Sequence, residues 1–581
     1  MRAWLPAALL LLGASFPDEK DRSPVAIALS ADGRRALTAN STADSVSLVD
    51  LDAGTVLSEA PAGARPRGVA LSGDGLRGAA ACERDDRLAL FDVRPDGLAP
   101  AGHVDVGDEP RGVVLSDDGA RAWVSLAGED AVVEVDLRSR TVVARAETGE
   151  EPGPLVRTPD GRRLVVGNTR GGGVTILEVS PLRAVRTIAL PGARNVRGVA
   201  VAPDGRTAYF THIVDRGGPT TLRAIADGHV LVNRLGRAPL DGEGPAESLA
   251  MDVRGFASAD LEGIDVAPDG RRLGVVAGGV RAVFLLSLPL PFSERPGDVA
   301  DKALAGDKAR FLRNGLRGRP VAVRYRPGGA TLVVANALRN ELQVVRASDG
   351  EVERTIPLGG PAEPSTPARR GEALFYDGYG SYHEWFSCHT CHLDGHTNGG
   401  LYDTFNDGKA GNPKKALSLR GVTKTGPWTW HGVQKGLPDS LQGSFRRTMG
   451  RGTLLDSEIE ALTAFLDAND FGPPPPVRDA AAVARGKAVF EAKTCSDCHP
   501  APFYTRSKVY EVGLETRDDA FRGFNPPPLR GVGRRGPWLH DGRAKTLEQL
   551  LREHHRPSQL GGGEDLTPSE LGDLVAFLKS L

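Results

Sequence analysis

Cysteine is scarce in this chain, with five in 581 residues. That excludes a scaffold stapled throughout by disulfides. Methionine is scarcer still, with three, and Met449 is the only one beyond residue 360. No long basic run occurs, and the formal net charge is −2, so nucleic acid has no electrostatic footprint here. Long apolar runs are missing after the N-terminus. The run at residues 3–14, behind Arg2, falls short of the roughly 20 residues that a bilayer span needs. With small residues near Gly13–Ser15, it reads as the core of a secretory signal, expected over 1–17. No cysteine sits at the expected cleavage point, so lipidation is not indicated. The mature chain is expected without a membrane span, in the periplasm or secreted.

What is present first is repetition. "PVAIALSADGRRALTANSTADSVSLVDLDAGTV" from Pro24 recurs in outline from Pro66, Pro110, Pro152, Val196, Leu261 and Pro320. The turn glycines are Gly33, Gly75, Gly119, Gly161, Gly205, Gly270 and Gly329. The first five lie about 42 to 44 residues apart, the period of a four-stranded propeller blade. Each unit has an alternating apolar strand, an Asp-Gly or Gly-Gly turn that supplies positive φ, and further apolar strands. One such sheet cannot bury both faces; seven arranged radially bury one another. A seven-bladed propeller is expected over 24–360, and the units resemble the YVTN type of propeller repeat. The spacing lengthens around 215–260 and 289–319, so insertions belong there. His212 reads as an incidental histidine on a surface loop, and Cys82 as a buried, inert thiol.

After the proline-bearing linker at 361–370 the histidines concentrate, nine of twelve lying from His383 onward. "SCHTCH" holds Cys388, Cys391 and His392; "TCSDCH" holds Cys495, Cys498 and His499. C-x-x-C-H is the attachment signature of c-type haem: two thiols reach two vinyl groups and the histidine reaches the iron. A zinc site wants close paired ligands and a thioredoxin motif wants a βαβ setting; simple disulfides within each pair, in an oxidising compartment, are the remaining alternative. The flanks are duplicated too. "RRGEALF" answers "ARGKAVF", "LRGVTKTGPWTWHG" answers "LRGVGRRGPWLHDG", and each unit closes in an amphipathic helix, from Asp456 and from Thr567. The second helix opens on a capping box of Thr567 and Glu570. The full expectation is a multidomain protein: an all-β seven-bladed propeller, then two all-α cytochrome c-like domains at 369–471 and 477–581, carrying two covalent haem c groups.

The duplicated region, on "PPLRGVGRRGPWLHDGRAKTLEQLL" and "LTPSELGDLVAFLKSL", resembles the bacterial di-haem cytochrome c peroxidase family and the related enzyme that matures a tryptophan-derived cofactor. The resemblance implies that one haem passes electrons and the other meets peroxide. It implies an electron path through Trp430 and His540. It implies that Met449, in "RRTMGRG", occupies a distal ligand segment, which the family carries in its second unit. Here the second unit offers His554 or His555 instead. His383, His396 and His431 could also approach a haem, and His389 reads as an exposed intervening residue of the motif. The family's peroxidatic glutamine and glutamate have no match; Gln442 is displaced, and Glu458 and Glu460 sit on the closing helix. The leading expectation is therefore haem-based electron transfer with a redox partner protein or a small-molecule donor, the propeller serving as a docking platform or substrate-binding module. A di-haem peroxidase-type oxidoreductase is one alternative. A propeller dehydrogenase feeding its own haems is another, although no glycine-rich dinucleotide fingerprint supports a nicotinamide cofactor.

Overall fold

The computed structural model describes residues 20–534 and 536–581; the expected signal segment lies outside the described residues. Each N-terminal repeat folds into one antiparallel sheet, because its grammar is local. In blade 1 the strands Pro24–Leu29, Arg35–Asn40, Ser45–Asp50 and Thr55–Pro61 pair in sequence order. Gly33 takes φ 68° at the first turn and donates its N–H to Ser30 O, while Ser30 Oγ donates to Asp32. Six further sheets over 66–105, 110–147, 152–189, 193–250, 261–315 and 320–357 complete seven blades. Apolar side chains from neighbouring blades meet in layers; Val49, Leu51, Val333, Leu342 and Ile356 join blades 1 and 7. The ring closes there without a shared strand. Asn340 Oδ1 accepts the N–H groups of Arg22 and Ser23 at 2.8 and 2.9 Å.

Blade 5 departs from the pattern. Its sheet has five strands, and Thr207–Asp215 and Leu231–Pro239 run nine residues each with the helix Leu222–Ala226 between them. His212, expected on a surface loop, instead lies within Thr207–Asp215 and is 1% exposed. The elongation of this strand keeps the residue inside the sheet, and burial pushes its imidazole pKa down to about 3. Cys82 is fully buried, as read, and burial pushes its thiol up to about 12.

Two helical units follow. The first is framed by Pro367–Phe375 and Asp456–Ala468, the second by Ala480–Ala492 and Pro568–Lys579. The framing helices cross at a glycine in both. A Cβ on Gly371 would collide with the carbonyl of Ala461, and one on Gly486 with that of Asp573; this explains the shared "RGEALF" and "RGKAVF". Between the helices, Trp428 Nε1 donates to Val422 O and Trp538 Nε1 to Val532 O, at 3.0 and 3.1 Å. The expected capping box forms: Glu570 N donates to Thr567 Oγ1, and Thr567 N to Glu570 Oε2. No helix among the described residues is long and apolar enough to cross a membrane.

Candidate haem sites

Each C-x-x-C-H segment is one tight turn. His392 N donates to Cys388 O and His499 N to Cys495 O, both at 2.9 Å. The imidazoles are fixed in the same way. His392 Nδ1 lies 2.8 Å from Leu417 O, and His499 Nδ1 lies 2.9 Å from Tyr504 O. A carbonyl only accepts, so Nδ1 carries the proton in both rings and Nε2 keeps its lone pair. All four cysteines are free thiols, held neutral by burial. Both motifs line one cavity of about 670 Å³. Two thiols and one lone-pair imidazole nitrogen on each side of an apolar cavity are the donor set that covalent haem c requires, so the residues fit the group.

The cavity's remaining walls are built by a repeated device. In the first unit Leu437–Gly443 runs into a π-turn, Ser444–Thr448; in the second Leu547–Gln549 runs into Leu550–His554. The residue ending each turn closes an i→i−5 bond: Met449 N to Ser444 O at 2.9 Å, and His555 N to Leu550 O at 2.8 Å. Met449 and His555 are therefore structural equivalents, and both line the cavity. Single π-turns recur at functional sites because the extra residue re-aims a side chain. Met449 Sδ sits 3.9 Å from Cys388 Sγ. His555 is pushed down to about 4 by burial, with the nearby His499 adding to the shift. His554 does not line the cavity; its Nε2 is 3.8 Å from Glu553.

Trp430 and His540 lie in the cavity wall with ring centroids 6.2 Å apart, and Trp430 Nε1 donates to Lys415 O at 2.8 Å. His431 joins them. Asp519 binds this group together: it accepts from His540 Nε2 at 3.1 Å and Lys414 Nζ at 2.6 Å, with His431 Nε2 at 3.4 Å. Burial pushes the Asp519 carboxyl up, but Lys414 and Thr516 outweigh it and hold it below the ordinary range. His396 and His383 lie outside the cavity wall; His396 Nδ1 meets Ser418 Oγ at 2.8 Å, and His383 stacks on Tyr382.

The propeller grips the first motif from below. His389, expected exposed, is 1% exposed, and Thr390 is wholly buried. The reason is blade 6. Thr390 Oγ1 donates to Asp260 Oδ1 at 2.6 Å, Ser387 Oγ donates to Asp260 Oδ2, and His389 Nε2 lies 3.6 Å from Glu262. Asp394 pairs with Arg67 at 2.8 Å and Arg197 at 2.9 Å. Burial opposes the charge on Asp394, but Arg197 and Arg67 hold its carboxyl well below the usual range. Sequence reading missed this hub. A signal existed: Arg67, Arg111, Arg197 and Glu262 all occupy the second position of a blade's opening segment.

The fold and the site together define a β-propeller joined to a haem-binding cytochrome c region. Residues 483–581 match the family model for cytochrome c. The chain is similar to hydrazine synthase subunit gamma of Kuenenia stuttgartiensis, 27% identical over 37% of this chain and 77% of the relative. It is also similar to the methylamine utilization protein MauG of Methylorubrum extorquens, 25% identical over 44% of this chain and 88% of the relative. A solved structure of Kuenenia stuttgartiensis hydrazine synthase matches 58% of this chain and 99% of its own, with a TM-score of 0.51 and 22% identity. That last likeness concerns the fold.

Proposed function

We propose that this chain is a periplasmic or secreted di-haem c-type cytochrome that moves single electrons, with the propeller as the rigid mount of the first haem. In this reading Cys388, Cys391, His392 and Met449 hold one haem, and Cys495, Cys498, His499 and His555 hold the other. The iron supplies one-electron redox chemistry when bound. The residues supply everything else. The Nδ1 bonds to Leu417 and Tyr504 orient the proximal rings, the π-turns present the distal ligands, and Trp430 with His540 spans the gap between the sites.

The observation that carries the reading is the equivalence of Met449 and His555. Met449 and His555, at the same point of both units, would each be placed to hold a bound haem from the cavity side opposite the motif histidine, which suits electron transfer. A peroxide-cleaving site instead needs an open iron position beside an acid–base group. The His431–Asp519–His540 cluster is such a group, and it favours a peroxidase-type oxidoreductase as the second reading if one distal ligand leaves. A substrate route through the propeller has less support, because Arg67, Arg197 and Glu262, its charged groups at the first motif, are engaged in ion pairs with one another or with Asp394. The relatives named for hydrazine synthesis and methylamine utilization support a redox role.

The test is twofold. Mass spectrometry after acid–acetone extraction is expected to find two covalent haems. Spectra of oxidised and reduced protein are expected to be low-spin throughout, and insensitive to peroxide. A high-spin species that turns over peroxide, in the oxidised or half-reduced protein, would favour the second reading instead.

A further inference from the structure

Blade 5 carries an insertion that ring closure does not need. Its strands Thr207–Asp215 and Leu231–Pro239 are joined by residues 216–230, where blade 1 uses only 41–44 for the same connection. The insertion is tied down. Thr220 N donates to Asp403 O at 2.9 Å and Thr220 Oγ1 to Arg447 O at 3.2 Å, which bonds it to the first helical unit. Gly218 N donates to His229 O at 2.8 Å and closes the loop on itself. The loop encloses a cavity of about 440 Å³ that shares no wall residue with the haem cavity. Its wall includes Arg216, Thr221, Arg223, Ala224 and His229 and, among the described residues, no carboxylate. We infer that the blade 5 insertion is a binding site for a small organic anion, and that its occupant is an anionic one-electron reductant serving the first haem.

The donor role rests on the di-haem reading; the anion site does not. Size comes first: small-molecule sites span about 300–1,000 Å³, and this cavity falls within that range. Charge comes second. Asp298 lies 3.1 Å from Arg216, and Asp227 lies 3.8 Å from Arg223 and 3.1 Å from Arg254, so these three arginines share two carboxylates. Arg446 and Arg447, exposed on the π-turn to which Thr220 is bonded, have no ion-pair partner among the described residues. The local field is therefore positive, and guanidinium groups hold carboxylates through paired, charge-assisted N–H···O bonds. Position comes third. Ala224, in the wall of this cavity, and Phe386 and Met449, in the wall of the haem cavity, belong to one apolar cluster with Trp385, and Cys388 packs against it. Trp385 is 1% exposed. A Cβ on Gly228, beside His229, would lie 2.9 Å from its Cη2. Asn233 Nδ2 donates to Trp385 O at 3.1 Å, so blade 5 holds this residue from both sides. A buried indole packed between the two cavities is a path for one electron. The donor loses one electron and releases its acidic proton to water, and one ferric iron becomes ferrous; no other bond is made or broken.

The test uses full-length, haem-loaded protein and two probes. Succinate, which is redox-inert, reports binding by calorimetry. Ascorbate, an anionic one-electron reductant, reports electron delivery by stopped-flow absorbance. Succinate is expected to bind once per chain and to compete with ascorbate, and haem reduction is expected to saturate as ascorbate is raised. The double variant Arg223→Glu/His229→Ala changes two exposed side chains. It should weaken succinate, and raise the half-saturating ascorbate concentration, by at least about 10-fold, the loss of one charge-assisted hydrogen bond. The limiting rate should not change. Trp385→Phe should do the opposite, lowering the limiting rate and leaving half-saturation alone. Gly228→Ala, which pushes the backbone off the indole, should act in the same way and carries this arm if Trp385→Phe does not fold. Absence of saturable succinate binding, or binding that the double variant leaves unchanged, overturns the site. Ascorbate kinetics that stay linear, that succinate does not inhibit, or whose limiting rate survives both Trp385→Phe and Gly228→Ala overturn the donor role. If mass spectrometry finds no haem at the first motif, the di-haem reading fails separately, and the succinate arm still decides the site.

Discussion

Asp394→Asn is the most direct test of the propeller as a mount. The substitution keeps size and hydrogen-bonding capacity and removes one buried charge. Asp394 is shared by two guanidiniums, at 2.8 Å to Arg67 and 2.9 Å to Arg197, and its side chain is 4% exposed. The two arginines are not equally hurt. Arg197 keeps Glu262 at 3.0 Å, whereas Asp394 is the only salt-bridge partner of Arg67 among the described residues. Breaking a buried pair by removing one partner costs about 3–5 kcal/mol, because the other charge is left uncompensated. With one arginine still paired, the lower end applies, about 3 kcal/mol. At about 2–4 °C per kcal/mol, the transition that includes the first helical unit should fall by about 6–12 °C. Differential scanning calorimetry measures it, and hydrogen exchange over 387–398 assigns it. A double-mutant cycle with Arg67→Met isolates the pair: the double variant should recover part of the loss. A loss under about 1 kcal/mol in Asp394→Asn, or strict additivity in the cycle, would refute the mount.

Met449→Ala is expected to abolish the thioether-to-ferric charge-transfer band and lower one midpoint potential while leaving the other nearly unchanged, since thioether ligation favours ferrous iron; potentiometry decides. His555→Ala should convert the other haem to high spin whereas His554→Ala should not, a contrast visible in the electronic spectrum. Glu262 gives a pH prediction. Burial pushes its carboxyl up, but Arg197 and Arg319 outweigh it and bring it down to about 2. A depressed carboxylate stabilises the fold above its unfolded value of about 4.3 and loses that stability as pH falls towards about 2, on the order of 3 kcal/mol in all. Acid unfolding monitored in that window should flatten in Glu262→Gln. Gly486→Ala should destabilise the second unit by at least about 1–3 kcal/mol through overpacking at the helix crossing, read as a lowered melting transition for that unit alone.

The propeller was legible because its signals are local and repeated. An Asp-Gly turn between two apolar strands needs no distant residue to be read, and six copies with one Gly-Gly variant remove ambiguity. The two C-x-x-C-H turns were legible for the same reason, as thiol, thiol and imidazole lie within five residues. Misreadings arose where a residue's environment is set by distant chain. His389 looks like a solvent-facing spacer until blade 6, more than a hundred residues earlier, closes over it. His212 looks like a loop residue until its strand is seen to outrun the repeat. Asp519 sits in an irregular stretch with no motif, yet it gathers His431, His540 and Lys414 from three segments. That His555 rather than His554 lines the cavity depends on one extra residue in a π-turn, a detail that periodicity cannot resolve.

The duplication gives two units the same parts, so their differences point to what the propeller adds. The proximal histidines are held alike, the helix crossings are alike, and the π-turns are alike. Two things differ. The π-turn ends in Met449 in one unit and His555 in the other, and the pair between the cysteines is buried in one and half-buried to exposed in the other. These differences act in the same direction. Thioether ligation and removal from water both favour the ferrous state, the first by ligand softness and the second by disfavouring the extra positive charge of ferric iron. A second imidazole and an open edge do the reverse. On the di-haem reading, the propeller covers one copy and leaves the other uncovered. It is the wall that makes two copies of one small domain unequal.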